Sequence, residues 1–134
     1  MGLLDFFSSK KKKEDAAASL EFMKAVVEYQ REMSKKGVDT DDIPSGFGPF
    51  GLVKTNPIPT QGIIGSNAYL ARLRTLDGSP VEHARIGSTS AKEVTESMID
   101  FYDIKIDGRS IATIYLCPYN KRNSEKAPEG FKLG

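Results

Sequence analysis

The stretch that decides the fold is Ile99-Asp100-Phe101-Tyr102-Asp103-Ile104-Lys105-Ile106-Asp107-Gly108-Arg109-Ser110-Ile111-Ala112-Thr113-Ile114-Tyr115-Leu116. Apolar and polar residues alternate on both sides of Asp107-Gly108. A two-residue turn between paired strands needs positive φ, which Asp and Gly tolerate, so the pattern predicts a β-hairpin. The same reading applies upstream. Asp77-Gly78 lies between Tyr69–Thr75 and Val81–Ile86, which predicts a second hairpin. The expected spans are 67–87 and 98–117. Ser90 and Glu93 have capping-box spacing, so one helical turn is expected between the two hairpins.

Upstream of the strands, Asp15 to Lys36 reads as one helix. Good helix formers fill it, no Gly or Pro interrupts it, and Gly37 supplies a stop. Acidic Glu14 and Asp15 at the start, and Lys35 and Lys36 at the end, suit the helix dipole. At 100° per residue, Glu21, Lys24, Glu28, Arg31 and Glu32 gather on one face. Leu20, Met23 and Val27 form one edge of the opposite side; Phe22, Val26, Tyr29 and Met33 form the other. This apolar arc is wider than a single core stripe. Burial of Phe22, Val26 and Met33 inside the domain is the ordinary expectation. A surface for a protein partner or a second copy, formed by Phe22, Val26, Tyr29 and Met33, is the functional alternative.

The expected architecture is α+β: a long N-terminal helix on a meandering antiparallel sheet of about four strands. A chain of 134 residues is one domain by length. Residues 1–14 are expected as a flexible tail and residues 15–134 as the folded unit. Residues 38–66 are rich in Pro and Gly and read as irregular, with a short strand expected near 51–54. Residues 118–134 read as a C-terminal tail. Two Pro-x-Gly turns precede Phe47 and Phe131, so both aromatic rings are expected to be ordered and partly buried.

Composition narrows the function. The 19 basic and 18 acidic residues nearly cancel, so the chain is no polycation. A single cysteine, Cys117, cannot close an internal disulfide, which points to a reducing, cytoplasmic setting. No run reaches the length of a membrane span, and the order of apolar and basic residues at the start is the reverse of a secretory signal.

No catalytic constellation or cofactor site emerges. Gly46-Phe47-Gly48-Pro49-Phe50-Gly51 has the letters of a dinucleotide-binding loop. It lacks the preceding strand, and prolines stand where the helix belongs. His83 and Cys117 are each the only residue of their kind, too few for a zinc site. Asp39, Asp41 and Asp42 lack the glycine and later glutamate of a calcium loop. Asp100 and Asp103 fall on opposite strand faces.

Two surfaces remain. Arg72, Arg74, Arg85, Tyr102 and Tyr115 form a candidate anionic-ligand surface, because arginines interleaved with aromatics suit phosphates and bases. The near-neutral balance of residues 44–134 weighs against nucleic acid. At the N-terminus, Leu3, Leu4, Phe6 and Phe7 precede Lys10, Lys11, Lys12 and Lys13. Apolar groups for insertion and lysines for anionic headgroups make a candidate membrane contact. The leading expectation is non-enzymatic binding of a protein partner or a second copy. Peripheral attachment to a membrane is the alternative.

Overall fold

The computed structural model describes residues 3–134, with side chains from Asp15 onward. The fold is α+β. Its elements are α1 (Leu3–Ser34), β1 (Ile58–Pro59), α2 (Gly62–Arg72), β2 (Leu73–Thr75), β3 (Glu82–Thr89), β4 (Ile99–Ile106), β5 (Arg109–Cys117) and β6 (Phe131–Leu133). The main sheet has the order β1-β5-β4-β3, and β2 pairs with β6 in a separate two-stranded ladder.

The hairpin at Asp107-Gly108 forms as expected. Ile106 faces Arg109 across the turn, and both central residues take positive φ, 49° at Asp107 and 76° at Gly108. These angles match the right-handed twist of the flanking strands. A Cβ on Gly108 would meet no atom within 4 Å, so only its backbone conformation restricts this position. Gly108→Val should therefore lower stability by about 1–2 kcal/mol through backbone strain alone. Urea denaturation checks this; an unchanged midpoint would contradict it.

The Asp77-Gly78 turn also forms, with Gly78 at φ 92° and the Thr75 amide donating to the Ser79 carbonyl. The expected hairpin around it does not. Tyr69–Arg72 belongs to α2, and β2 leaves the turn to pair with β6, register Leu73 to Leu133 and Thr75 to Phe131. Only Arg74 and Pro80 bridge across the turn. The physical reason lies in burial. Ser66, Tyr69 and Leu70 are spaced for one helical face, and all three are buried on it.

The register places Tyr102, Ile104, Ile114 and Leu116 on one sheet face, and Ile99, Phe101, Tyr115 and Cys117 on the other. α2 covers the first face, where Tyr69, Leu70 and Leu73 join Ile58, Phe50 and the strand residues in the larger core. Ile43, Ala91 and Val94 cover the far end of the second face over Ile99 and Cys117. The turn expected after Ser90 is present, closed by the Val94 amide donating to Ala91.

The sheet is mixed, because β1 runs parallel to β5 through Ile58 opposite Leu116 and Pro59 opposite Cys117. No strand forms at 51–54, where the chain makes successive turns; only the Gly51 carbonyl reaches the sheet, accepting from the Tyr115 amide at 2.9 Å. Phe131 is half-buried in β6, as expected. Phe47 is not: it is 58 % exposed. Its backbone is tied to Thr55 by an amide bond of 3.0 Å and a hydroxyl bond of 2.8 Å, so the loop is ordered without burying the ring.

Residues 38–60 are held against the C-terminal segment. The Val38 amide donates to Asn120 Oδ1 at 3.0 Å, and the Lys121 amide donates to the Val38 carbonyl. Arg122 donates to Asp39 at 2.9 Å and Asp41 at 2.8 Å, and Lys126 reaches Asp42 at 3.0 Å. The acidic turn is thus a clasp and not a free loop. The Glu125 amide, followed by the Arg122 guanidinium, holds the Asp41 carboxyl below its ordinary pKa. A lowered folded-state pKa contributes stability above the unfolded value near 4, and that contribution is lost as pH falls through the folded value. Asp41→Asn should therefore be less stable than the parent at neutral pH, and the gap should close as pH drops below about 4. Thermal melts across pH check this; a gap independent of pH would show that the carboxylate charge plays no part.

The uncovered side of the long helix

α1 is fastened to the body near its C-terminus. The Gln30 Oε1 atom accepts the Ile63 amide at 2.7 Å at the start of α2. Gln61 offers no side-chain cap there, so a glutamine from another helix serves as the missing acceptor. Ser34 is buried at the same junction. One turn further on, Gly37 lies directly on the backbone of Tyr119 and Asn120.

This mode of attachment leaves the apolar arc bare. Phe22 is 68 % exposed, Tyr29 61 %, Leu20 57 % and Met23 49 %. Val26 and Met33 are half-buried. The expectation that Phe22, Val26 and Met33 are buried in the domain is corrected on this point. α1 packs on α2, and α2 is only 11 residues long against the 32 of α1. At 1.5 Å per residue α1 is about 30 Å longer than α2. The charged face carries three exposed ion pairs of i,i+3 spacing, Lys24 with Glu21, Arg31 with Glu28 and Lys35 with Glu32. They add little stability individually.

Between α1 and α2 runs a groove of about 530 Å³, bordered by Val27, Gln30, Ile63, Ile64, Ala68 and Arg122. A shallower depression of about 420 Å³ continues it along Leu20, Met23 and Lys24 and shares Val27 and Arg31 with it. Ile64, at 69 % exposure, stands on the α2 rim. This wall stands where an irregular segment to residue 66 and a strand from Tyr69 are expected, and α2 (Gly62–Arg72) replaces both. The available signal was the run Ala68-Tyr69-Leu70-Ala71-Arg72, all helix-compatible.

The arginine and tyrosine candidates are dispersed. Arg72 donates to the C-terminal Gly134 carbonyl at 3.0 Å, and Arg74 to the Ala71 and Leu73 carbonyls. Arg85 bonds Ser88 at 2.6 Å and Asp100 at 3.1 Å. Tyr102 is buried on the α2 side of the sheet, whereas Tyr115 stacks on Phe101 at 5.7 Å on the other side. Register decides this: Tyr102 faces Ile114, so Tyr115 points the opposite way. The five residues do not share a surface.

His83 and Cys117 are also separated. His83 sits beside Tyr102, and Cys117 beside Ile99 on the opposite face. Burial pushes the Cys117 thiol pKa up, away from the thiolate that nucleophilic chemistry needs. Among the described residues, no three His, Cys, Asp or Glu side chains converge as metal ligands. The backbone of Leu3, Leu4, Phe6, Phe7, Lys10, Lys11, Lys12 and Lys13 belongs to α1, so the helix starts well before the expected residue 15; their side chains lie outside the described residues. No helix among the described residues is long and apolar enough to cross a membrane.

No family model matches the chain, and neither the curated proteins nor the solved structures include a match to it.

Proposed function

We propose that this chain is a non-enzymatic docking module that engages a protein through the uncovered side of α1. One observation carries the reading: Leu20, Phe22, Met23 and Tyr29 are all exposed on a single helix that is fastened to the body near its C-terminus. Isolated exposed apolar residues are ordinary, but four on one continuous arc are a contact surface. The apolar groove beside them extends the same surface onto α2. The single buried cysteine suits a reducing, cytoplasmic setting for that contact.

The test is site-specific photo-crosslinking in the source cell, with a photoreactive phenylalanine analogue in place of Leu20 or of Phe22. A discrete protein adduct is expected at these positions and not at Arg109, on the distant hairpin. Absence of any protein adduct at both positions would overturn the reading. The membrane alternative is separated by co-sedimentation with anionic vesicles. Peripheral attachment through residues 3–13 requires binding at low salt that is lost when Lys10–Lys13 are changed together to Gln, since each lysine near the surface is worth about 1 kcal/mol.

A further inference from the structure

We propose that the groove between α1 and α2 takes the C-terminal end of a partner protein, with its free carboxylate at the N-terminus of α2 and its last, apolar side chain between the two helices. This rests on the docking role assigned above to α1 and names the part of the partner that is held.

The first turn of α2 keeps one donor open. The Gln61 amide donates to Asn123 Oδ1 at 2.8 Å, the Gly62 amide to the Pro118 carbonyl at 2.7 Å and the Ile63 amide to Gln30 Oε1 at 2.7 Å. The Ile64 amide has no hydrogen-bond partner among the described residues. Two of these caps need glycine nearby: a Cβ on Gly62 would lie 3.1 Å from Gln30 Oε1, and one on Gly65 would lie 2.6 Å from Asn123 Oδ1. No acidic residue stands in the turn to offset the positive end of the helix. An open amide at that end is a donor for an anionic oxygen.

A second gap, on α1, borders the same groove. Gln30 and Ser34 are one turn apart on one helix face, and both line it. Ser34 is 3 % exposed, and its Oγ has no hydrogen-bond partner. A buried hydroxyl left without a partner is costly, and native proteins keep few of them. A ligand oxygen seated between α1 and the Ile64 amide supplies that partner. Gln30 spends Oε1 on Ile63 and so presents Nε2 as a further donor. Arg122 spends Nε and Nη1 on Asp39, Asp41 and the Asn123 carbonyl, and Nη2 remains. The charged side chains bordering the groove are Arg31 and Arg122; among the described residues no Asp or Glu borders it. Glu28, Asp39 and Asp41 offset these arginines from outside, so recognition rests on placed donors and not on a broad positive field.

The walls decide what carries the carboxylate. Val27, Ile63, Ile64 and Ala68 give the groove apolar sides, and its 530 Å³ falls within the range of about 300–1,000 Å³ usual for a bound small group. The depression that continues it is bordered by Leu20 and Met23 and also by Lys24, Glu28 and Arg31. Charged groups among apolar ones suit a peptide, whose backbone brings its own donors and acceptors; an acyl chain would leave them unmatched. Capture of a C-terminal carboxylate by backbone amides is a recurring mode of peptide recognition.

The experiment is a titration of the full, nitrogen-15-labelled chain with a pool of hexapeptides ending in Leu, Val or Phe, followed by nuclear magnetic resonance. With free C-termini, the Ile64 amide resonance should shift saturably below about 1 mM peptide. The same pool with amidated C-termini should bind about tenfold more weakly. Ser34→Ala should melt no lower than the parent, because the hydroxyl has no partner to lose, and should bind the free-carboxylate pool about fivefold more weakly. Ile64 is 69 % exposed, so replacing it leaves the core intact. Ile64→Asn removes an apolar wall; Ile64→Asp removes the same wall and sets a negative charge at the open amide. The Asp variant should bind about tenfold more weakly than the Asn variant and melt no lower. No shift at Ile64, equal binding of the amidated pool, equal binding by the two Ile64 variants, full binding by Ser34→Ala, or a preference for dodecanoate over the peptides would each overturn the proposal. A photo-adduct at Leu20 that forms equally with a partner lacking its last residue would overturn it and leave the docking role standing. No protein adduct at Leu20 or Phe22 would remove both.

Discussion

Replacing Gly37 by Ala should lower the stability of the domain by about 3 kcal/mol and its melting temperature by on the order of 10 °C. Gly37 ends the turn after α1 and rests on the strand-exit segment. A Cβ there would overlap the Tyr119 carbonyl oxygen and lie 2.5 Å from Asn120 Cα. Both obstacles are backbone, so no rotamer change relieves them. Asn120 cannot retreat either. Its amide donates to the Thr60 carbonyl, its Nδ2 to the Cys117 carbonyl at 2.8 Å, and its Oδ1 accepts the Val38 amide. Moving this residue breaks three hydrogen bonds at once, each costing about 1 kcal/mol or more if left unmade. The neighbouring Lys36 is exposed, so Lys36→Ala should melt within about 2 °C of the parent. Equal melting of Gly37→Ala and Lys36→Ala would show that α1 is not seated on residues 119–120.

Deleting residues 127–134 should cost about 4 kcal/mol, a large part of the 5–15 kcal/mol by which such domains are stable. The segment supplies β6, whose Phe131 and Leu133 pack against the larger core, and Pro128, which is fully buried. Its removal uncovers Leu73, which is 0 % exposed, and strips β2 of its only ladder. The Gly134 amide, which donates to the Arg72 carbonyl at 2.7 Å, goes with it. Tyr69 keeps its bond to the Lys126 carbonyl, so α2 stays tethered while losing its cover. Urea denaturation of the truncated chain should show a much lower midpoint. An unchanged midpoint would mean that the C-terminus is a free tail.

What was legible in the sequence was local. The β4–β5 hairpin follows from an Asp-Gly turn and the residues on either side of it, all within one short window. The helical character of residues 15–34 follows from composition and spacing. What was not legible depends on distant partners. β1 has two residues and exists only because Leu116 and Cys117 lie beside it. Leu73–Thr75 is extended chain, as the alternation predicts, yet its partner is β6 and not the neighbouring β3, and no local signal distinguishes the two. The alternation of Ala71-Arg72-Leu73-Arg74-Thr75 makes the preceding Tyr69-Leu70 resemble the start of a strand, and burial on the sheet makes Tyr69–Arg72 helical. Phe22, Val26, Tyr29 and Met33, the candidate partner surface, are legible in the sequence as an apolar edge. Whether the domain covers that edge depends on the length of α2, which only its packing on the sheet sets.

The clasp between residues 38–60 and 117–126 sets an order of events during synthesis. Asp41 and Arg122 are 81 residues apart, and Thr60 waits for Cys117 across 57. At about 5–20 residues per second, Asp41 emerges roughly 4–16 s before its partner is made. During that interval the residues of α1, with their exposed apolar arc, are made with no sheet yet behind them. A newly made α1 therefore meets the cell before the rest of its own domain does, and any contact it forms on the ribosome is formed first.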